Sequence, residues 1–189
     1  MDRLSPLSYA FLAAEDVDPA ACLVIGSMAV IDGPAPPIEE VRELVAQRLA
    51  SVPRYTQRIE PSRFDLRAPA WVDAPDLDLA RHVVELGVPA PGGRHEVAAV
   101  TADLLSQRMD RSRPLWDVTV CHGLPDDRWG LVMRVHHALA DGISGTGLYH
   151  VVFDSDGARD EPPPVAPRAA PGVGRQGLVQ TAMSAARGA

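Results

Sequence analysis

Two adjacent histidines, an aspartate and a glycine, arranged as His136-His137-Ala-Leu-Ala-Asp141-Gly142, give this chain a stretch whose residue types and spacing suit bond-making chemistry. The segment follows an alternating run, residues 129–135, and leads into a Gly-rich stretch, residues 142–153. A strand sends successive side chains to opposite faces. If His137 faces a cleft with Met133 and Val135, His136 faces the interior with Val132 and Arg134. The two rings are therefore expected to do different jobs.

Neighbours on one strand cannot easily converge on one ion. Asp141, Cys121 and His122 do not complete a recognised zinc spacing either, so no metal is expected here. Asp141 stands where the strand gives way to a helix, and it can cap that helix by accepting backbone N–H groups. Alternatively its carboxylate pairs with an arginine, Arg134 or Arg3, and fixes the turn that aims His137. Gly142 lets the backbone bend or approach a substrate closely.

A rigidly held imidazole with no Ser or Cys nucleophile beside it is suited to one task in particular. Imidazole titrates near ~6.5, so its neutral form takes a proton from a hydroxyl or thiol as that group attacks a carbonyl. Direct acyl transfer is the matching reaction class. The alternative is a hydrogen-bonded core histidine. The complete heptapeptide in a strand-turn-helix setting favours catalysis.

The elements that must position these residues alternate between helical and strand patterns. Ser5-Pro6 is a cap and first-turn pair for a helix running to Glu15, with Leu7, Ala10, Phe11 and Ala14 on one face, expected to pack rather than bind. Residues 20–31 are rich in β-branched side chains and predict a buried strand. Pro37 starts a helix over residues 38–51, with Val41, Leu44, Val45, Arg48 and Leu49 at helical spacing. Residues 54–59 and 80–87 read as strands, and residues 61–78 between them as a loop carrying Trp71. Residues 96–109 predict a third helix whose stripe is Val97, Val100, Leu104 and Leu105, with Arg108 at its edge. Residues 116–122 and 129–137 then form a hairpin across the turn 123–128, so the histidines ride on a rigid sheet.

The composition bounds the rest. The chain has 189 residues, 46% of them hydrophobic, enough for one modest core with an appendage. Formal net charge is −7, which disfavours nucleic acid as a partner. Two cysteines, Cys22 and Cys121, are too few for a disulfide framework. The N-terminus lacks a charged segment followed by an apolar core, so a cytoplasmic setting is expected. The longest apolar stretch falls short of the ~20 residues that cross a bilayer, leaving peripheral contact with a membrane or lipid inclusion as the expected limit.

After Asp154 the pattern changes. Residues 156–176 hold Pro162, Pro163, Pro164, Pro167 and Pro171 and read as a semi-rigid linker. Residues 177–189 begin a weakly amphipathic helix. The expected organisation is a lobe over residues 1–155, the linker, and the start of a helix leading to a second, absent half.

His136-His137-Ala-Leu-Ala-Asp141-Gly142 resembles the signature of the CoA-dependent acyltransferase superfamily, which includes chloramphenicol acetyltransferase and nonribosomal peptide condensation domains. Further landmarks narrow the likeness: residues 1–7, 52–58 and 71–83, Pro89-Ala-Pro-Gly92, and Asp110-Arg-Ser-Arg-Pro114-Leu115-Trp116-Asp117. In order and spacing they resemble the N-terminal half of bacterial wax ester synthase/diacylglycerol acyltransferases, over about residues 1–155.

The resemblance implies a chloramphenicol-acetyltransferase-like α/β fold, this chain being the N-terminal lobe of a two-lobed mixed-sheet enzyme. It implies esterification of a long-chain alcohol or diacylglycerol by acyl-CoA as co-substrate, with no further cofactor and no acyl-enzyme. His137 would be the general base and Asp141 an orienting carboxylate, while His136 and Gly142 would shape the turn. Pro114, Leu115 and Trp116 would line the acyl pocket or support the lobe. A base without its oxyanion donors and acyl wall loses most of its transition-state stabilisation. The chain alone is therefore expected to be inactive, and the C-terminal half of the same enzyme is its expected partner. Other readings are a condensation-type or polyketide-type acyltransferase and a non-catalytic acyl- or CoA-binding half-domain.

Overall fold

The structure, a computed structural model, describes residues 2–49, 52–62 and 68–140. Asp141 and Gly142, the helix expected over residues 142–153, the linker and the C-terminal stub all lie outside the described residues.

In chain order the elements are β1 (Asp2–Arg3), α1 (Pro6–Val17), β2 (Val24–Asp32), α2 (Ile38–Leu49), a short 3-10 helix (Pro53–Thr56), β3 (Gln57–Glu60) and β4 (Ala70–Asp73). They continue with α3 (Leu79–His82), β5 (Val83–Gly87), α4 (Arg94–Ser106), β6 (Trp116–Leu124), β7 (Arg128–His136) and α5 (His137–Ala140). Two sheets result. A small antiparallel sheet has the order β1-β4-β3, and a mixed four-stranded sheet has the order β2-β7-β6-β5, with β5 parallel to β6.

The hairpin that carries the motif forms as its pattern predicts. Trp116 pairs with Val135 and Asp117 with Arg134, and the strands extend to a Leu124–Arg128 closure with an irregularity between Cys121 and Leu124. Asp126 and Asp127 turn the chain at φ 63° and 51°. Short acidic side chains tolerate this left-handed region better than most.

β7 lies between β2 and β6 and is covered on both faces. Leu131, Met133 and Val135 join the main core with Val118, Val120, Leu12, Val41, Val45 and Trp71. Val132 packs on the other face with Leu104, Cys121 and, more peripherally, Val97 and Val100 of α4. Burial on both faces explains why the strand, between its end residues Arg128 and His136, is apolar except at Arg134. That guanidinium donates to Asp117 at 2.8 and 2.7 Å and to the Leu104 carbonyl.

Several expectations change. The inward face of α1 is Ser8, Leu12 and Glu15, one step round from the expected stripe, and Leu7 is 51% exposed. The Ser5 hydroxyl does cap the helix, accepting the Ser8 N–H at 2.9 Å. Trp71 sits in a strand, paired with Asp2 on one side and Ile59 on the other, because both neighbours offer it a ladder that local sequence could not reveal. Residues 79–82 are helical rather than extended, Asp78 capping them by accepting the Ala80 N–H. Residues 53–56 form a 3-10 turn, so the strand expected from residue 54 begins at Gln57. β2 is a half-buried strand flanking β7, not a deeply buried one. Among the described residues no helix is long and apolar enough to cross a membrane.

Candidate active site

β7 ends at His136, and the chain turns at once into α5, whose first residue is His137. The two rings therefore leave the strand's alternation. Met133 and Val135 are 1% and 7% exposed and lie in the core, so His137 does not share a cleft with them. Its partner is a helix: the ring stacks on Phe11 of α1, with centroids 4.8 Å apart and planes inclined at 29°. Its backbone N–H donates to the Leu23 carbonyl at 2.8 Å. The side chain is half-buried.

His136 is fully buried. Its N–H donates to the Leu115 carbonyl at 3.0 Å. Its Nδ1 accepts the Ala138 N–H at 3.0 Å, which leaves the ring proton on Nε2. Nε2 stands 3.3 Å from Glu15 Oε1, an oblique approach that falls short of hydrogen-bond geometry. Burial lowers the pKa of this imidazole below the ordinary value, and the nearby Glu15 carboxylate opposes the shift without reversing it.

Glu15 is 2% exposed. Oε1 accepts the Leu23 N–H at 2.7 Å, and Oε2 accepts from Arg111 at 3.0 Å. Burial alone would raise its pKa. The Leu23, Arg111 and His136 contacts together outweigh burial and hold the carboxyl below its usual value. Arg111 also donates to the Leu12 carbonyl and to Asp16.

Leu115 and Trp116 are 0% and 2% exposed. The indole N–H donates to the Tyr55 carbonyl at 2.7 Å, and His82 stands against the indole at 4.6 Å with Nδ1 2.7 Å from the Trp116 carbonyl. Pro114 borders a cavity of about 310 Å³ shared with Asp78, Arg81, His82, Asp110 and Arg113. Arg134, one expected partner of Asp141, is engaged by Asp117, and Arg3 donates to the Ala68 carbonyl. Among the described residues no three His, Cys, Asp or Glu side chains converge as a metal ion requires.

The structure thus brings together His136, His137, Leu115, Phe11, which the sequence placed only on the packing face of α1, and two residues to which the sequence assigned no role, Glu15 and Arg111. Glu15 left one trace, an acid at helical spacing after Ser8 and Leu12. Arg111 stands within the Asp110–Asp117 landmark, but as one of three arginines between residues 108 and 113 nothing local singles it out.

Residues 4–188 match the family of the wax ester synthase/diacylglycerol acyltransferase catalytic domain. A Mycobacterium bovis protein named as a diacylglycerol O-acyltransferase is 47% identical over 148 residues, 78% of this chain and 32% of its own length. A Mycobacterium tuberculosis protein of the same name is 31% identical over 167 residues, covering 87% of this chain and 59% of its own. The chain thus spans about a third of the first of these relatives. The wax ester synthase/diacylglycerol acyltransferase of Marinobacter aquaeolei superposes with a TM-score of 0.62 at 29% identity, over 78% of this chain and 37% of that one. The starter condensation domain of rhizomide synthetase gives 0.63 at 17% identity, over 79% and 36%, a likeness of fold alone. The mixed-sheet fold is common to these proteins, and the chain belongs to the wax ester synthase/diacylglycerol acyltransferase family.

Proposed function

We propose that this chain is the N-terminal lobe of an acyl-CoA-dependent O-acyltransferase that makes wax esters, triacylglycerol or both. The observation that carries the reading is His137: a half-buried imidazole at the mouth of a rigid sheet, fixed by the Leu23 carbonyl and the Phe11 ring. His137 is the general base. It removes the proton as the hydroxyl oxygen of a long-chain alcohol or diacylglycerol attacks the thioester carbonyl. Collapse of the tetrahedral adduct breaks the C–S bond, and the departing CoA thiolate recovers the proton from the imidazolium.

His136 holds the turn from inside. By the family resemblance, Asp141 is the orienting carboxylate and Gly142 helps to shape the turn. Leu115 and Trp116 support the lobe, a duty served by their burial and by the Leu115 carbonyl beneath His136, while Pro114 stands at the edge of the cavity. A C-terminal lobe supplies the oxyanion donors and acyl wall, and acyl-CoA is the donor with no metal or other cofactor. The protein works in the cytoplasm or at the surface of a membrane or lipid inclusion.

The test is His137→Ala in the chain together with its C-terminal lobe, assayed with acyl-CoA and either a long-chain alcohol or a diacylglycerol. Turnover falls by about 10²- to 10⁴-fold while acyl-CoA still binds. Unchanged turnover would make this a non-catalytic acyl- or CoA-binding lobe instead.

A further inference from the structure

We propose that Glu15, paired with Arg111, is the positioning residue for both histidines of the motif: it faces the His136 ring directly and fixes the His137 backbone through Leu23. The inference rests on the reading of His137 as the base.

A carboxylate that is 2% exposed costs several kcal/mol to bury unless it is paired. A helix that only packed would carry an apolar residue at this point of the Ser8-Leu12-Glu15 stripe. Each Glu15 oxygen instead has a defined duty. Oε1 takes the Leu23 N–H and faces His136 Nε2, and Oε2 takes Arg111. Leu23 passes the restraint on, because its carbonyl accepts the His137 N–H at 2.8 Å. One carboxylate therefore stands behind both imidazoles, in contact with one and one residue removed from the other.

The state of His136 fits the same purpose. With Nδ1 occupied by the Ala138 N–H, the ring proton is on Nε2, which stands 3.3 Å from Glu15 Oε1, so the ring cannot flip without losing the Ala138 hydrogen bond. That Ala138 N–H belongs to the first turn of α5, the element that starts with His137. Holding the His136 ring thus sets where α5 begins. Arg111 balances the acid's charge, so Glu15 restrains His136 without forcing it to take a second proton. Burial keeps that imidazole below its usual value despite the neighbouring acid. Arg111 also lies four residues before Leu115, whose carbonyl accepts the His136 N–H. The segment between them grips the motif from two sides, which gives the Pro114-Leu115-Trp116 triplet its place beside the histidines.

Glu15→Gln keeps the shape and removes the charge that Arg111 answers. Turnover in the two-lobed enzyme is expected to drop about 10- to 100-fold with KM for acyl-CoA changed less than about twofold. A loss expressed wholly in KM, or no loss, overturns the inference. A second readout needs no turnover. Long-range proton–nitrogen spectra of the chain should show His136 as a single Nε2–H tautomer, and Glu15→Gln should mix its tautomers and broaden the His137 signals. Histidine signals that superimpose on those of the unsubstituted chain overturn it as well. If Glu15→Gln does not fold, Arg111→Gln, whose side chain is 30% exposed, must give the same kinetic and spectral changes, and failure to do so is equally fatal. Should His137→Ala leave turnover intact, the base assignment falls by itself, and the spectra still decide whether Glu15 holds the two rings.

Discussion

The phenyl ring of Phe11 lies 4.8 Å from the imidazole of His137, the two planes inclined at 29°. A residue from the first helix thus touches the last described helix at the proposed base. The contact is what a strand-end histidine needs, because an imidazole at the start of a helix has free rotation about two side-chain bonds unless something flat lies against it.

Phe11→Leu keeps an apolar side chain and removes the flat face. Aromatic pairing of this kind is worth about 0.5–1.5 kcal/mol, so turnover should fall roughly two- to tenfold, with the melting temperature lowered by only a few degrees. Steady-state kinetics with acyl-CoA and alcohol decide it. Equal kcat in the variant would show that the ring merely fills space.

The hairpin and the motif were legible because they are local. Alternation over residues 129–135, a turn rich in Gly, Pro and Asp, and the His-His-x-x-x-Asp-Gly spacing all lie within about thirty residues. α2 and α4 were legible from their 3.6-residue period. The α1 face differs by one step because Ser8 and Glu15 look polar, and only the fold reveals that Leu23 and Arg111 satisfy that acid, with His136 beside it. The strand at Trp71 was missed for a related reason. Its partners, Asp2 and Ile59, come from separate parts of the chain, and short strands of four residues carry little periodic signal.

Asp117 and Arg134 form a two-pronged pair at 2.7 and 2.8 Å, their side chains 20% and 10% exposed. Removing one member of such a pair leaves a largely buried charge without its counter-charge. Asp117→Ala should therefore destabilise the fold by about 3 kcal/mol, and Arg134→Met combined with Asp117→Leu should recover most of that loss. Urea unfolding of the two variants beside the unsubstituted chain gives the comparison. A double variant no more stable than the single one would mean that Arg134 matters chiefly for the carbonyl of Leu104, to which it also donates.

Two glycines in strands should respond differently to the same added methyl. At Gly26 a Cβ would collide with the Met133 carbonyl oxygen and come within 2.8 Å of Leu105 Cδ2. Backbone at the heart of the sheet cannot withdraw, so Gly26→Ala should cost roughly 2 kcal/mol or more. At Gly87 nothing lies within 4 Å. Gly87→Ala should be neutral or slightly stabilising. Thermal melts of the two variants measure the contrast, and equal effects would place β2 differently against β7.

Acid should weaken the fold in two stages. Burial holds His82 and His136 below the ordinary value of 6.5. The Trp116 carbonyl, Asp117 and Asp78 pull His82 upward and Arg113 pulls it down, while Glu15 raises His136 and Arg111 and His137 lower it. In neither case is the effect of burial reversed. In the unfolded chain both rings take up protons near 6.5, and in the folded chain only at lower pH. The unfolded state binds more protons in that interval, so stability is complete above 6.5 and declines below it. Glu15 adds the second stage. Its folded value lies below 4.5, so its contribution is present above 4.5 and disappears as pH falls through the folded value. The melting temperature should therefore be level above about pH 7, fall gradually below 6.5 and fall faster below 4.5, and His82→Gln should flatten the upper slope. A melting temperature that stays constant or rises from about pH 7 down to 5 is incompatible with two neutral buried imidazoles.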